Sequence, residues 1–299
     1  MSADILTKVQ VFLHEALNHQ EGKGVEMPPL LIEEFKEACG NALEKQFSSR
    51  DNDYRIRMSG IGRPLCQQKL DKDPDVHSEN DYTLIMKFLL GDLIEAVAIA
   101  VMKASGVEIQ AEQKGVELDI AGMTMNGTYD VKINDKIYDI KSTSPAAFSS
   151  KFGANGGYAL VKENDPFGYL TQGYLYSEAS ESDFGGWIAI NKSTGEWAVC
   201  EAPDVQDEDK KQALGSAEKS IKNILADKPF AREFEDVPET YKDIDKSIKP
   251  TGNRLLGKDC SFCGYKKHCW PDAILYRKVS LNKKRRPLVW YSKLVIEEL

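Results

Sequence analysis

Residues 127 to 144, Gly-Thr-Tyr-Asp-Val-Lys-Ile-Asn-Asp-Lys-Ile-Tyr-Asp-Ile-Lys-Ser-Thr-Ser, constrain the fold more than any other stretch, because they can pair with themselves. β-branched and aromatic residues alternate on either side of Asn134-Asp135, which predicts an antiparallel hairpin, although Asn-Asp is a weaker turn dipeptide than Asn-Gly. A two-residue turn sets the register: Ile133 faces Lys136, Asp130 stands opposite Asp139, and Thr128 opposite Lys141. Directly opposed side chains have Cβ atoms ~4.5–5.5 Å apart, where two like charges destabilise a sheet. A divalent cation between the carboxylates removes that repulsion.

Period-two alternation turns Ile137, Asp139 and Lys141 to one face and Tyr138 and Ile140 to the other, into an apolar layer. Two hard oxygen donors and an ammonium group on one face suit phosphodiester hydrolysis, in which Mg²⁺ or Mn²⁺ polarises the phosphate and lysine positions the nucleophile. The plain alternative is a solvated strand face with Asp and Lys paired across it.

The chain has 299 residues, enough for one large core with attached segments or for two domains. Its 41% hydrophobic and 29% charged residues are those of a soluble globular protein, and Met-Ser-Ala-Asp-Ile-Leu lacks a basic region and apolar signal core. A cytoplasmic location follows as the expectation, in the host cytoplasm if the chain is phage-encoded. A net charge of −8 argues against a protein that coats nucleic acid but not against an enzyme with its own metal ions.

Ile5, Val9, Phe12 and Ala16 fall at helical spacing, and a second helix follows Pro28-Pro29, so residues 1–57 read as a helical extension. Leu84 to Met102 is nearly all apolar, but Lys87, Asp92 and Glu95 interrupt it, which predicts a buried helix rather than a membrane span. Glu95 is either a metal-binding or catalytic carboxylate or a helix-surface residue, since an unpaired carboxylate in an apolar helix costs several kcal/mol, about 2–7 for a polar group. Residues 107 to 121 predict a strand. Ala147 to Gly157 predicts a Ser/Gly-rich loop whose Lys151 lies over a substrate, and Pro166 opens a helix to about Ala179. On that helix Gln172 and Tyr176 share one face, as substrate contacts or as ordinary boundary residues. Gly186–Asn191 and Glu196–Cys200 predict a second hairpin, and Gln206–Asp227 a polar amphipathic helix.

Residues 228 to 258 read as a wrapping connector. Gly252 to Lys258 has the spacing of a phosphate-binding loop, but Asp259 stands where that loop needs Ser or Thr, and no strand is predicted before it. Cys260-Ser-Phe-Cys263-Gly-Tyr-Lys-Lys-His-Cys269 is a metal or cluster signal. Its fourth ligand is His268 or a distant residue, for which Cys66 is the best candidate; Cys39 and Cys200 sit in predicted helix and strand and read as structural. Arg277, Lys278, Lys283, Lys284, Arg285 and Arg286 form a basic run, either a solvated end or a DNA contact.

Gly91-x-x-x-Glu95, Gly127-x-x-Asp130, Asp139-Ile140-Lys141, Gln172-x-x-x-Tyr176 and one upstream plus three C-terminal cysteines together resemble the PD-(D/E)xK nucleases of the RecB type. The set is similar to their iron-sulfur branch, which includes CRISPR-associated RecB-like exonucleases, the AddB nuclease domain and phage exonucleases, and the match covers about Ser59 to Trp270. The resemblance implies an α/β fold: a restriction-endonuclease-like core with a central mixed sheet flanked by helices over 58–227, then a C-terminal wrap over 228–299. It implies Asp130, Asp139 and the Ile140 carbonyl as metal ligands, Lys141 as catalytic lysine, Gln172 and Tyr176 as substrate-positioning groups, and a 4Fe-4S cluster on Cys66, Cys260, Cys263 and Cys269. Glu95 occupies the position where the CRISPR-associated and RecB members carry histidine, as in lambda-like phage exonucleases, and is read as a further ligand.

The function this resemblance implies is a Mg²⁺- or Mn²⁺-dependent DNA exonuclease acting on single strands or DNA ends in recombination or processing. A CRISPR spacer-acquisition nuclease is the alternative, and a zinc-stabilised, non-catalytic DNA-binding protein the alternative of another class. No membrane partner is expected, and self-association is left open.

Overall fold

The computed structural model describes residues 2–17, 25–48, 54–79, 82–226, 229–243, 245–280 and 286–296. The chain divides into two compact units, Met1–Gly62 with Tyr82–Lys222, and Arg63–Asp81 with Asn223–Leu299. Helices α1 (Ser2–Leu17) and α2 (Pro29–Phe47) open the first unit, α3 (Leu65–Lys72) belongs to the second, and α4 (Thr83–Ala104) returns to the first. Strands β1 (Ala111–Ile120), β2 (Met123–Ile133) and β3 (Lys136–Thr143) follow. Next come helix α5 (Pro145–Ala147), a π-helical turn (Phe148–Phe152), α6 (Tyr158–Glu163), α7 (Tyr169–Ala179), β4 (Asp183–Asn191), β5 (Trp197–Glu201) and α8 (Asp207–Leu225).

The five strands form one mixed sheet in the order β1-β2-β3-β4-β5, antiparallel except where β3 runs parallel to β4. This is the expected α/β core, a mixed sheet flanked by helices. On one face Ile5 and Val9 of α1 and Ala98 and Met102 of α4 pack with Val131, Ile133, Tyr138, Ile140, Ile188 and Ile190. On the other, Phe148, Phe152 and Tyr174 enclose Phe184 and Trp187. The apolar helix α4 is buried at Leu89, Ala98 and Met102, while Ile85, Met86, Phe88 and Leu90 of its first half are 43–50% exposed.

The hairpin turn has both Asn134 (φ 51) and Asp135 (φ 57) in the left-handed region, as a two-residue turn matching strand twist requires. Its register is Ile133 with Lys136, Lys132 with Ile137 and Val131 with Tyr138. There the ladder stops. The pairings of Asp130 with Asp139 and of Thr128 with Lys141, expected by counting outward, are not made, because β2 and β3 part and an Asp130 side chain takes over from the main chain.

Of residues 147 to 157 only 153–157 form the expected loop; Phe148 and Phe152 are four apart and both find the Trp187 side of the sheet, which winds the first part into helical turns and buries Lys151. Helix α7 begins at Tyr169 rather than near Pro166: Gly168 (φ 74) makes a left-handed turn, and Asp165 Oδ2 accepts the Leu170 amide at 2.8 Å.

In the second unit, β6 (Val237–Lys242), β7 (Ile248–Leu255), α9 (Lys258–Phe262), α10 (Lys266–Cys269), β8 (Ile274–Arg277) and β9 (Leu288–Lys293) form an antiparallel sheet of order β6-β7-β9-β8 with two short helices. The expected connector over 228–258 thus carries two strands, β6 and β7, and the Gly252–Lys258 stretch starts inside β7 rather than after a strand. The carboxylate of Glu239, 1% exposed, ties this sheet together by accepting from Asn253 Nδ2 (2.9 Å), Tyr291 OH (2.8 Å) and the Ser280 amide (2.9 Å). Of the basic run, Lys283, Lys284 and Arg285 lie outside the described residues. No helix among the described residues is long and apolar enough to cross a membrane.

Candidate functional site

Asp130 sits where both ladders of β2 open. On the β3 side pairing ends one residue earlier; on the β1 side it runs Glu112 with Val131 and Lys114 with Tyr129, skipping Gln113 across from Asp130. In place of a main-chain bond, Asp130 Oδ2 accepts the Ile140 amide at 2.6 Å. Asp139 is 4% exposed, and the Lys141 ammonium lies 2.9 Å from its Oδ1 and 2.7 Å from its Oδ2. Oδ2 receives no well-aligned hydrogen bond, so its contact with Lys141 is ionic and leaves lone pairs unengaged.

Gln172 of α7 donates to Asp139 Oδ1 at 3.4 Å and to Tyr176 OH at 3.4 Å, so these two residues reach the carboxylate as one unit. Tyr176 approaches so closely that a Cβ on Gly127 would lie 2.4 Å from its ring; glycine is required there. From the other direction α4 delivers Glu95, which accepts a hydrogen bond from Gln113 Nε2. No atom outside the helix lies within 4 Å of a Cβ placed on Gly91, one turn earlier, so that helix face is open beside Glu95. Lys45 and Gln46 of α2 both bind Asp92, at 2.7 and 2.6 Å, and bring α2 against this part of α4.

The electrostatics show how tightly these groups are grouped. Burial, then the charges of Asp139 and Glu95, push the Asp130 carboxyl well above its ordinary range. Burial raises Glu95 to about 7, opposed by Lys45 and reinforced by Asp139 and Asp92. Burial likewise raises Asp139 against the pull of Lys141, and burial of Lys141 is outweighed by Asp139, which holds the ammonium charged. Asp139 thus hinders the ionisation of both Asp130 and Glu95, and Glu95 hinders that of Asp130.

Two neighbours carried no sequence signal. Asp165 adds a fourth negative charge near Asp139 and has a buried Oδ1 without a hydrogen bond. The Tyr169 ring lies under the Lys141 ammonium at 4.4 Å and 5.7 Å from that of Lys151. Lys151 itself donates to the Asn164 carbonyl at 2.8 Å, so it is anchored in the fold rather than laid over an open surface.

In the second unit Cys66, Cys260, Cys263 and Cys269 line one small cavity with Leu70, Phe234 and Trp270. Burial raises all four thiols, Cys66 to about 12 with help from Glu233, and Cys263 raises each of the other three by its charge. The Tyr265 amide donates to Cys263 Sγ at 3.4 Å. Trp270 Nε1 is buried and makes no close hydrogen bond; Cys260 feels that N–H, which opposes the upward pull of burial. His268 is exposed and meets the Phe230 ring edge-on, away from the cavity. Cys39 lies in α2 and Cys200 is buried in β5.

Among the described residues no three His, Cys, Asp or Glu side chains close on a single ion position.

No protein-family model and no curated protein matches the chain. Among solved structures it is similar to SSO0001, with a TM-score of 0.40 and 14% identity over 77% of this chain and 93% of that one. It is also similar to a candidate exonuclease from Eubacterium rectale, with a TM-score of 0.33 and 19% identity over 45% of this chain and 53% of that one.

Proposed function

We propose that the chain is a metal-dependent DNA exonuclease of the RecB-like PD-(D/E)xK type. The observation that carries this reading is the convergence of Glu95, Asp130, Asp139 and Lys141 at the point where β2 leaves β3, with Asp139 Oδ2 buried and unbonded by any N–H. Asp130, Asp139 and the Ile140 carbonyl would hold Mg²⁺ or Mn²⁺, with Glu95 beside them. The ion supplies Lewis-acid activation of a phosphodiester and of water at neutral pH. Lys141, kept charged by Asp139, is placed to offset charge developing on the phosphate, and Gln172 with Tyr176 orients the Asp139 carboxylate from α7.

In this reading the four cysteines hold a 4Fe-4S cluster. An all-thiolate donor set, an amide directed at Cys263 and an indole N–H beside Cys260 are the surroundings such clusters use, since hydrogen bonds to the sulfurs tune them. Hydrolysis transfers no electrons, so the thiolates act as a clasp between residue 66 and residues 260–269. Whether the role is recombination, genome processing or spacer acquisition turns on the DNA end that is cut.

The deciding experiment is incubation of the pure protein with end-labelled linear and closed circular DNA, single- and double-stranded, with Mg²⁺, Mn²⁺ or EDTA. Metal-dependent loss of linear DNA with circles intact supports the reading. An inert preparation that binds DNA overturns it in favour of a non-catalytic binding protein.

A further inference from the structure

Gln113 is the one residue of β1 with a left-handed backbone, φ 45, and it is not a glycine. Holding a side-chain-bearing residue there costs of order 1–3 kcal/mol, which persists only where surrounding structure imposes it. The position is where the β1–β2 ladder skips, across from Asp130. The kink delivers the Gln113 amide to Glu95 Oε1 of α4. Lys45, Asp92, Glu95 and Gln113 line the same cleft between α2, α4 and β1.

We infer that Gln113 is a positioning residue for Glu95, and this rests on the nuclease reading. A glutamate on a helix has three rotatable bonds, and its neighbour Asp92 is already held by Lys45 and Gln46. Without Gln113 the Glu95 carboxylate is drawn toward Lys45, the strongest favourable charge acting on it and a member of the same cleft. With Gln113 donating to Oε1, Oε2 would be the oxygen available to the metal that Asp130 and Asp139 would hold. The strain at residue 113 is thus spent on aiming a ligand from an adjacent strand, the role that partners of metal-binding side chains play.

Glycine at 113 suits the backbone but lacks the amide, so it separates strain from function. Gln113→Gly is expected to raise the unfolding midpoint slightly in EDTA, while Mn²⁺ affinity by calorimetry and kcat on linear DNA fall about 10- to 100-fold, the usual cost of losing such a partner. KM for DNA is expected to stay within twofold. Gln113→Asn, which keeps the amide but is one methylene shorter, is expected to fall between. In the Glu95→Gln background, Gln113→Gly is expected to cost no further Mn²⁺ affinity, because nothing remains to be aimed. Wild-type Mn²⁺ affinity in Gln113→Gly, or undiminished losses in the double variant, overturns the inference. Failure of the wild-type protein to cleave any DNA overturns the nuclease reading instead, and the two failures are distinct.

Discussion

The Asp130 carboxylate stands in for a strand: its Oδ2, 2.6 Å from the Ile140 amide, accepts the hydrogen bond that a main-chain carbonyl of β2 would otherwise take. This substitution lets β2 and β3 separate without orphaning a buried N–H, and the gap it opens is where Asp139, Lys141 and Glu95 gather. One side chain thus has a structural duty through Oδ2, and in the proposed function its other oxygen would serve the metal.

Asp139 and Lys141 are separable by the choice of substitution. Asp139→Asn keeps an oxygen for the ammonium, so the variant is expected to fold as wild type by circular dichroism while losing at least ~100-fold in metal-dependent cleavage, more than a supporting residue would cost. Asp139→Ala leaves a half-buried ammonium without its partner and is expected to lose about 1–3 kcal/mol in urea as well. Wild-type turnover in Asp139→Asn would remove it from the site.

Glu95 makes metal-free stability depend on pH. Its folded pKa, about 7, lies above the ordinary 4.5, chiefly through burial. The unfolded chain releases this proton first as pH rises, so folding is progressively opposed between about pH 4.5 and pH 7 and the penalty is constant above that. The full effect is on the order of 3 kcal/mol. Urea unfolding in EDTA at pH 5 and pH 8 is expected to show a smaller pH decline for Glu95→Gln than for wild type, and equal declines would show that Glu95 does not titrate in this range.

The cysteine cavity predicts colour. Protein produced and handled without oxygen is expected to be brown, absorbing near 400 nm, where a zinc protein is colourless. Cys66→Ala is expected to be colourless and less stable, because a clasp across nearly 200 residues restricts the unfolded chain by on the order of 4–5 kcal/mol. Cys39→Ala, Cys200→Ala and His268→Ala are expected to keep full iron and sulfide content. Retention of the cluster by Cys66→Ala would break the assignment.

Gly127 carries no reactive atom, yet Gly127→Ala is expected to damage the site. The new Cβ would meet Tyr176 Cε1 at 2.4 Å and Met58 Sδ at 2.9 Å. Overpacking of this kind costs about 1–3 kcal/mol, and here it also displaces the tyrosine that Gln172 contacts. Thermal unfolding and cleavage rates are both expected to fall; a variant with unchanged activity would mean that Tyr176 tolerates displacement.

The hairpin was legible because alternation and the Asn134-Asp135 turn are local signals, and it placed Asp139 and Lys141 on the same strand face. The end of its ladder was not, since nothing in the spelling distinguishes an aspartate that hydrogen-bonds a neighbouring strand from one that merely faces it. Gln113 was illegible for a related reason: its left-handed backbone is imposed by tertiary contacts and has no glycine to announce it. In the second unit Pro238, Pro250 and Gly252 masked two strands as a connector, because they interrupt alternation where register shifts and a left-handed Gly252 accommodate them. Phe148 and Phe152 were hidden among serines and glycines, whose turn propensity is local while the pull of Trp187 is not.

The second unit is made of two pieces of chain, and the piece that carries Cys66 is synthesised long before the piece that carries the other three cysteines. Nearly 200 residues separate Cys66 from Cys260, so at ~5–20 residues per second the Cys66 segment waits roughly 10–40 s for its partners. The mixed sheet can form during that interval, whereas the four-thiol cavity cannot exist until the last of its cysteines has left the ribosome. Loading of the proposed cluster would thereby wait for residues 260–269, and a nascent chain that stops short of them would display the carboxylate cluster without the proposed clasp.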